Sequence, residues 1–544
     1  MLASLRSFYD RSPLAAILCA ALAVRLIAVF FAPGYLMHDD HFLTIEPSSS
    51  WADGKNFNHW LPGIGNNNAH PEPISFFYLG FLYLIFSGLQ FLGIDDPQQQ
   101  MVCMRLIHAV YALLTIFFAY RITALISTQK AANRVGWLLA FIAILPNFSV
   151  RNLVEMVCMP PLLYGMYLLL RSAGLQTKSF LGIEWRAPVP AVAATHWSKF
   201  LLAALIMGFA VGFRYQTGLF VAVVGAVIWL QRSFVHAFLF GVVSLMAFSI
   251  TQADDILFWG GEPFQHLKGY FEYNQKNAGN YPGSPYAYLS FIGYFILPPV
   301  SLFLLAGFIR EWKRLAILVL PTAAFLLFHI LFPNKQERFI LPALPFVVMI
   351  GVIGWEEISR NWNWWKERPS LEVWSWRIFW GLNTCMMLVF CTTYSKKARV
   401  ESMTYLHDQS DLRNFALEAT ASEGAAMMPQ FYTDCWTSYY SWNHQADPIA
   451  AIRNMPSNER SSKSALQPYT VPNYFLFYNE DQLENRVAKI QSYFPSLQLV
   501  ATIEPGWYDE LLHHLNDKNT LEKVYIYKVM NPEEATPDGL ERMF

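Results

Sequence analysis

The chain has 544 residues, of which 54% are hydrophobic, 16% aromatic and only 15% charged. Soluble domains carry about 25% charged residues, so this composition excludes a wholly soluble protein. A formal net charge of −1 argues against nucleic acid, which calls for a basic surface.

In chain order, apolar runs occupy 13–33, 74–93, 101–126, 134–150, 152–170, 199–231, 234–252, 286–308, 315–333, 338–356 and 376–394. A bilayer crossing takes about 20 apolar residues. Arg6 and Arg11 precede the first run as in a signal peptide, but no small-residue cleavage site follows, so an uncleaved first helix is expected. The run 199–231 is too long for one crossing and short for two, and Arg214-Tyr215-Gln216 interrupts it. The pattern predicts a tight pair of helices turning there.

Positive charge then fixes the number of crossings. With the first helix running outward and 74–93 lying along the outer surface, the inner loops hold 17 Lys and Arg before residue 395, against 7 outside. Letting 74–93 cross inverts this balance. The expectation is eleven spans within 1–394, with 34–100 as one long outer segment. Residues 395–544 are polar, with strand-like runs at Ala425–Tyr432, Tyr474–Tyr478, Leu497–Ile503 and Val524–Val529 and a helical stretch Asp481–Tyr493. They read as a small α/β domain on the outer side. Of six cysteines only Cys435 sits in polar sequence, so no disulfide framework is legible. No short repeat or low-complexity tract is present.

This topology gathers charge at one rim. Asp39-Asp40 and Glu46, Arg151 and Glu155, Arg214, Asp254-Asp255, and Lys335, Glu337 and Arg338 all fall at outer helix ends. Each has a plain structural explanation: carboxylates where a helix leaves the membrane, a snorkelling Arg214, an i,i+4 pair for Arg151 and Glu155, a charged turn for Lys335 to Arg338. Arg25, mid-helix, reads as a satisfied buried charge. Five such clusters at similar depth on one side instead suggest a site, because ionisable groups at the membrane edge are costly. A sugar carried on a lipid phosphate would suit it. Cations would hold the phosphate as it leaves, and a carboxylate would take the proton of the attacking hydroxyl. Inverting transfer needs no second carboxylic acid, since phosphate departs without protonation.

These segments resemble the polyprenol-linked mannosyltransferases of glycosyltransferase family 22, which extend lipid-linked oligosaccharides and GPI anchors. The family's PDEHxQxxE loop is similar to His38-Asp39-Asp40-His41-Phe42-Leu43-Thr44-Ile45-Glu46. Its NSxE element resembles Asn152-Leu153-Val154-Glu155, and GxxxxxRPT resembles Gly208 to Arg214-Tyr215-Gln216-Thr217. DSxFYG resembles Asp254-Asp255-Ile256-Leu257-Phe258-Trp259-Gly260, with Tyr273-Asn274 after it; HKEERFLLPxxP resembles Asn334-Lys335-Gln336-Glu337-Arg338-Phe339-Ile340-Leu341-Pro342-Ala343-Leu344-Pro345. The five pieces run in order over residues 13–355.

The resemblance implies an α-helical polytopic membrane protein of GT-C type. It has about 11 transmembrane helices and an interfacial helix in the first outer loop; the C-terminal small α/β soluble domain lies outside the resemblance and rests on the composition of 395–544 alone. It implies a bacterial hexosyltransferase that moves mannose from a polyprenyl-phosphate donor to a glycan, glycolipid or protein acceptor. The site would face the periplasmic side of the inner membrane, with no cofactor and no obligatory metal. Asp39 is the implied general base, with Asp40 second. Arg214, Lys335 and Arg338 would bind the donor phosphate. Glu46, Arg151, Glu155, Asp254, Asp255 and Glu337 would orient these groups or bind sugar or acceptor. Trp51, His59, Trp60, Asn66, Asn67, Asn68 and His70 suit sugar recognition, and no HxxxH or HExxH spacing marks a metal site. A transporter or flippase for lipid-linked sugar is the alternative, against which stand the missing repeats and the rim position of the charges. A membrane-anchored binding protein working through 395–544 is a third reading, and that segment has no phosphate loop or triad.

Overall fold

A computed structural model describes residues 2–58, 60–61, 74–189, 195–279, 282–419, 427–434, 436, 439–443, 472–519 and 521–531. Two compact units emerge: Met1–Phe30, Glu72–Tyr78 and Met104–Thr392 form one, and Phe31–Pro71, Leu79–Cys103 and Thr393–Phe544 the other.

The first unit is helical, as its apolar runs require. Among the described residues four helices are long and apolar enough to cross a bilayer: Pro13–Phe31, Pro97–Ile126, Phe234–Leu257 and Glu337–Asn361. Phe76–Phe91, Trp197–Phe213, Thr217–Gln231 and Ala316–Leu331 are apolar but shorter. The expected helix pair in 199–231 is present, and its turn is closed by Thr217, whose amide and hydroxyl both donate to the Arg214 carbonyl at 3.0 and 2.7 Å.

Two expected single spans are broken, each for a local reason. The run 286–308 folds as Ala287–Phe295 and Val300–Arg310, bent by 118°. Pro298-Pro299 lies at the break, where a proline lacks the N–H a continuing helix needs and restricts the residue before it. The run 134–150 holds the helix Gln129–Phe141 and the short turn Leu145–Phe148. Polar side chains from neighbouring helices take over the backbone groups at that break. Asn383 accepts from the Ala143 amide at 2.9 Å and donates to the Phe141 carbonyl at 2.6 Å. Arg25 donates to the Ala140 and Leu139 carbonyls at 3.2 and 3.4 Å. It is a buried cation whose Nη1 and Nη2 are hydrogen-bonded and whose Nε has no acceptor among the described residues.

Close helix packing is built on glycine. A Cβ on Gly307 would lie 2.1 Å from the Gly351 carbonyl oxygen, and one on Gly354 2.1 Å from that of Gly307. The helices Val300–Arg310 and Leu344–Asn361 therefore touch backbone to backbone, the arrangement small residues permit between apolar helices.

The second unit holds a five-stranded sheet in the order Tyr440–Asn443, Phe415–Ala419, Tyr474–Tyr478, Val524–Val529, Leu497–Ile503. The first three strands run parallel and the remaining pairings are antiparallel. Tyr474–Tyr478 is buried along its whole length, as a central strand covered on both faces should be. Phe475, Phe477, Val487, Ile490 and Phe494 form the core between sheet and the helix Leu483–Gln491. Arg486 fastens that helix, donating to Glu418 at 3.0 Å and to the Tyr478 carbonyl at 2.9 Å. Three expected strands and the expected helix are present. The fourth run, Ala425–Tyr432, is not a strand where it is described: Pro429 precedes a 3-10 turn, Gln430–Thr433.

Candidate functional site

In the helical unit, three distant stretches deliver charge to one point. Glu155 lies in the first turn of Val154–Val157, Arg214 caps the C-terminus of Trp197–Phe213, and Arg338 sits in the 3-10 turn Glu337–Ala343. A helix C-terminus carries partial negative charge, which favours a cation there. Glu155 Oε1 is 2.8 Å from Arg214 Nη1 and 3.6 Å from Arg338 Nε. All three residues are buried. Both guanidiniums lie over the Phe339 ring, 5.2 and 5.6 Å from its centroid, and Arg338 Nε also donates to Gln336 at 2.9 Å.

One carboxylate thus faces two guanidiniums, which leaves a net positive charge out of water. Arg214 Nε and Nη2 are buried with no hydrogen-bond acceptor among the described residues. Unsatisfied buried donors on a cation cost several kcal/mol (roughly). An anion with several acceptor oxygens would satisfy them, and a planar guanidinium suits phosphate in particular.

Lys335, Glu337, Arg151, Asp254 and Asp255 belong to the same unit. Lys335 uses its ammonium on the C-terminal carbonyls of Ala316–Leu331 and just beyond, at 3.0 Å from those of His329 and Ile330 and in contact with that of Phe332. It lies 5.4 Å from the Tyr288 ring centroid, and partial burial lowers its pKa. Its ammonium is therefore committed to backbone carbonyls. Glu337 is exposed at the start of its turn. Arg151 is buried and donates to Asn147 at 3.2 Å.

Asp254 and Asp255 serve His266. Asp255 Oδ1 accepts from the His266 amide at 3.2 Å and from its Nδ1, while Asp254 Oδ2 stands 3.9 Å from the same nitrogen. These carboxylates fasten the helix Gln265–Lys276 beside the end of Phe234–Ile250. The three side chains bring potential ligand atoms within 4.8 Å of one another. The same Asp255 oxygen is already committed to two N–H groups of His266.

Tyr270 and Phe339, which the sequence did not single out by their chemistry, lie beside these guanidiniums. Gln216 donates to the Tyr270 hydroxyl. Burial raises the Tyr270 pKa against the opposing pull of Arg214, and so keeps the phenol protonated. Tyr270 lies three residues before Tyr273-Asn274, and Asn274 donates to its carbonyl at 2.8 Å. Phe339 lies inside the Lys335–Pro345 stretch, so its place under two arginines was marked by position but not by chemistry.

In the other unit, Asp39 and Asp40 occupy the short helix His38–Phe42 in different states. Asp40 is buried, and its two oxygens accept from the Leu36 and Met37 amides at 3.1 and 2.9 Å. Asp39 is half-buried. Glu46 is buried, 3.4 Å from His41 Nε2, and accepts from the Phe431 amide at 3.4 Å. His41 is stacked between Tyr35 and Tyr432, with ring centroids 4.8 and 5.6 Å away. Trp51 lies in the last turn of the helix Ile45–Ala52, and Trp60 is buried. His59, Asn66, Asn67, Asn68 and His70 lie outside the described residues.

Comparison with known proteins follows the same lines. The model of the Alg9-like mannosyltransferase family matches residues 16–433. No curated protein matches the chain by sequence. Among solved structures, ArnT from Cupriavidus metallidurans bound to undecaprenyl phosphate superposes with a TM-score of 0.55 at 14% identity, covering 96% of this chain and 99% of that one. The apo form of ArnT gives 0.56 at 12% identity, over 97% and 100%. The Archaeoglobus fulgidus oligosaccharyltransferase in its apo form gives 0.50 at 12%, over 89% of this chain and 72% of that one. At these identities the likeness establishes the fold: a multi-pass GT-C membrane protein with a small C-terminal sheet domain.

Proposed function

Because the chain belongs to the Alg9-like mannosyltransferase family, and is thereby a glycosyltransferase, we propose that it moves mannose from a polyprenyl-phosphate donor to a glycan, glycolipid or protein acceptor. The transfer takes place on the periplasmic side of a bacterial inner membrane. The observation that supports the donor assignment is the Arg214–Glu155–Arg338 cluster, in which Arg214 Nε and Nη2 are buried without an acceptor among the described residues. ArnT with undecaprenyl phosphate offers a precedent for this ligand class on the same fold.

Chemically, the acceptor hydroxyl oxygen bonds to the anomeric carbon as the bond from that carbon to the phosphate oxygen breaks. Configuration inverts, and polyprenyl phosphate leaves with the electron pair. Arg214 and Arg338 hold the phosphate and stabilise the charge growing on its bridging oxygen, with Lys335 adding field. Asp39 takes the hydroxyl proton. Asp40, bound to two backbone amides, positions the helix that carries Asp39. Glu155 holds the two guanidiniums in register, Glu337, Asp254, Asp255, Arg151 and Glu46 orient the surrounding elements, and residues 395–544 dock the acceptor.

The test is transfer by the purified enzyme with a panel of polyprenyl-phosphate sugars, read by mass spectrometry. The expected product gains one hexose from polyprenyl-phosphate mannose, and Arg214→Met loses it while retaining the wild-type melting temperature. Transfer from a nucleotide sugar, or none from any lipid phosphate, would overturn the reading. The flippase reading has no observation in its favour.

A further inference from the structure

The helical unit contains a largely apolar cavity of about 780 Å³, rimmed by two cations, that the proposed transfer reaction does not use. It opens where the helices Gln129–Phe141 and Pro369–Cys391 pass the segment ahead of Pro13–Phe31, and Tyr9, Lys130, Arg134, Trp137, Trp376 and Trp380 line it. The positive-inside count places this rim on the face opposite to Arg214. Its volume falls within the range of small-ligand pockets.

We propose that this cavity binds the headgroup of an anionic diacyl phospholipid. Lys130 and Arg134 are spaced i,i+4 on one helix, so both cations face the same side. Arg134 is 3.7 Å from Glu356 and lies over the Trp376 ring at 4.8 Å. Lys130 is exposed and has no acidic partner within 4 Å among the described residues. Two cations against one carboxylate leave a single net positive charge, the complement of a phosphodiester. A phosphomonoester carries about −1.5 to −2 at neutral pH, which this balance would not match; the charge therefore favours a phospholipid over polyprenyl phosphate. The Trp376 indole N–H is buried without an acceptor among the described residues and offers a directed hydrogen bond.

Most of the remaining wall is aromatic. Tyr9 and Trp137 stand 6.0 Å apart and Trp137 and Phe141 5.6 Å, and Trp380 follows Trp376 by one helical turn. Tryptophan at a membrane interface presents an apolar ring to acyl chains and an N–H to the headgroup layer. Basic pockets between transmembrane helices are a recurrent form of lipid recognition.

Native mass spectrometry of the full-length enzyme tests this. Detergent-solubilised protein is titrated with phosphatidylglycerol, with phosphatidylcholine of the same acyl chains, and with undecaprenyl phosphate. Wild type should retain one phosphatidylglycerol at least about tenfold more strongly than phosphatidylcholine. Lys130→Gln should reduce that preference severalfold while leaving melting temperature and sugar transfer in lipid-free detergent unchanged. Trp376→Phe, which keeps the charge balance, should weaken retention by a smaller factor. Equal retention of the two phospholipids by wild type would overturn the proposal. So would undiminished phosphatidylglycerol retention in Lys130→Gln with Trp376→Phe, or displacement of phosphatidylglycerol by undecaprenyl phosphate at lower concentration.

Discussion

Arg214 Nη1 lies 2.8 Å from Glu155 Oε1, and the two residues are 59 positions apart in the chain. Their contact leaves the other guanidinium nitrogens of Arg214 without acceptors in a buried setting. If they hold the donor phosphate, Arg214→Met removes hydrogen bonds that strengthen as the phosphate leaves. The expected result is a fall in kcat of about 10²–10³, the scale seen when one oxyanion donor is deleted. Glu155→Leu should act differently. It leaves two buried cations uncompensated, and loss of one partner of a buried pair costs roughly 3–5 kcal/mol. Thermal unfolding separates the two variants: the first keeps its melting temperature and the second does not.

Asp39 and Asp40 are neighbours with divergent expectations. Both oxygens of Asp40 accept backbone amides, so Asp40→Ala removes a local cap worth about 1 kcal/mol and should lower stability with a partial loss of rate. Asp39→Asn should abolish transfer and leave unfolding unchanged. Rate and melting temperature measured on both variants check this. Full activity in Asp39→Asn would pass the base role to another group.

Much of this could be read in the sequence because it rests on patterns the chain carries locally. Charge asymmetry and apolar length gave the helices, and Lys335 to Pro345 with Arg214 marked the cation cluster. Partners escaped where geometry overrode proximity. Arg151 and Glu155 are spaced for an i,i+4 pair, yet Val154 starts a new short helix and Glu155 reaches Arg214. Lys335 looked like a phosphate ligand, but the chain turns it back onto its own helix end. The strand Phe415–Ala419 contains two alanines and a glutamate, residues that weakly disfavour strands. Its place is secured by pairing on both sides and by the Glu418–Arg486 contact, which local composition cannot reveal. Asn383 and Arg25 satisfy the break after Phe141 from other helices, so no signal within 134–150 announced it.

The glycine contact between Val300–Arg310 and Leu344–Asn361 makes a packing prediction. Gly354→Val would drive a side chain into the Gly307 backbone, where a Cβ alone meets the carbonyl oxygen at 2.1 Å. Overpacking of this kind costs about 1–3 kcal/mol, occasionally more. Gly241→Ala is the control: its Cβ meets nothing within 4 Å on the helix Phe234–Ile250. Alanine there should be neutral or stabilising by roughly 0.5–1 kcal/mol. Melting temperatures in one detergent would decide, and equal values for the two variants would count against backbone contact.

Glu311 supplies the pH dependence. It is buried in the turn after Val300–Arg310, with Oε2 2.7 Å from Arg314 Nε. Burial, and a hydrogen bond with Glu357, push its pKa up from 4.5 to about 7, against the opposing pull of Arg314. The folded protein therefore binds a proton there that the unfolded chain has released once pH exceeds the ordinary carboxyl value. Linkage then makes this contribution fully present below about pH 4.5 and lost as pH rises toward 7. Glu311→Gln keeps the neutral form at every pH and should flatten that slope. Its melting temperature relative to wild type should rise between pH 5 and pH 8 (about), with the difference levelling off above the folded pKa. A difference that stays constant over this range would mean that Glu311 is already ionised in the folded protein at the lowest pH measured.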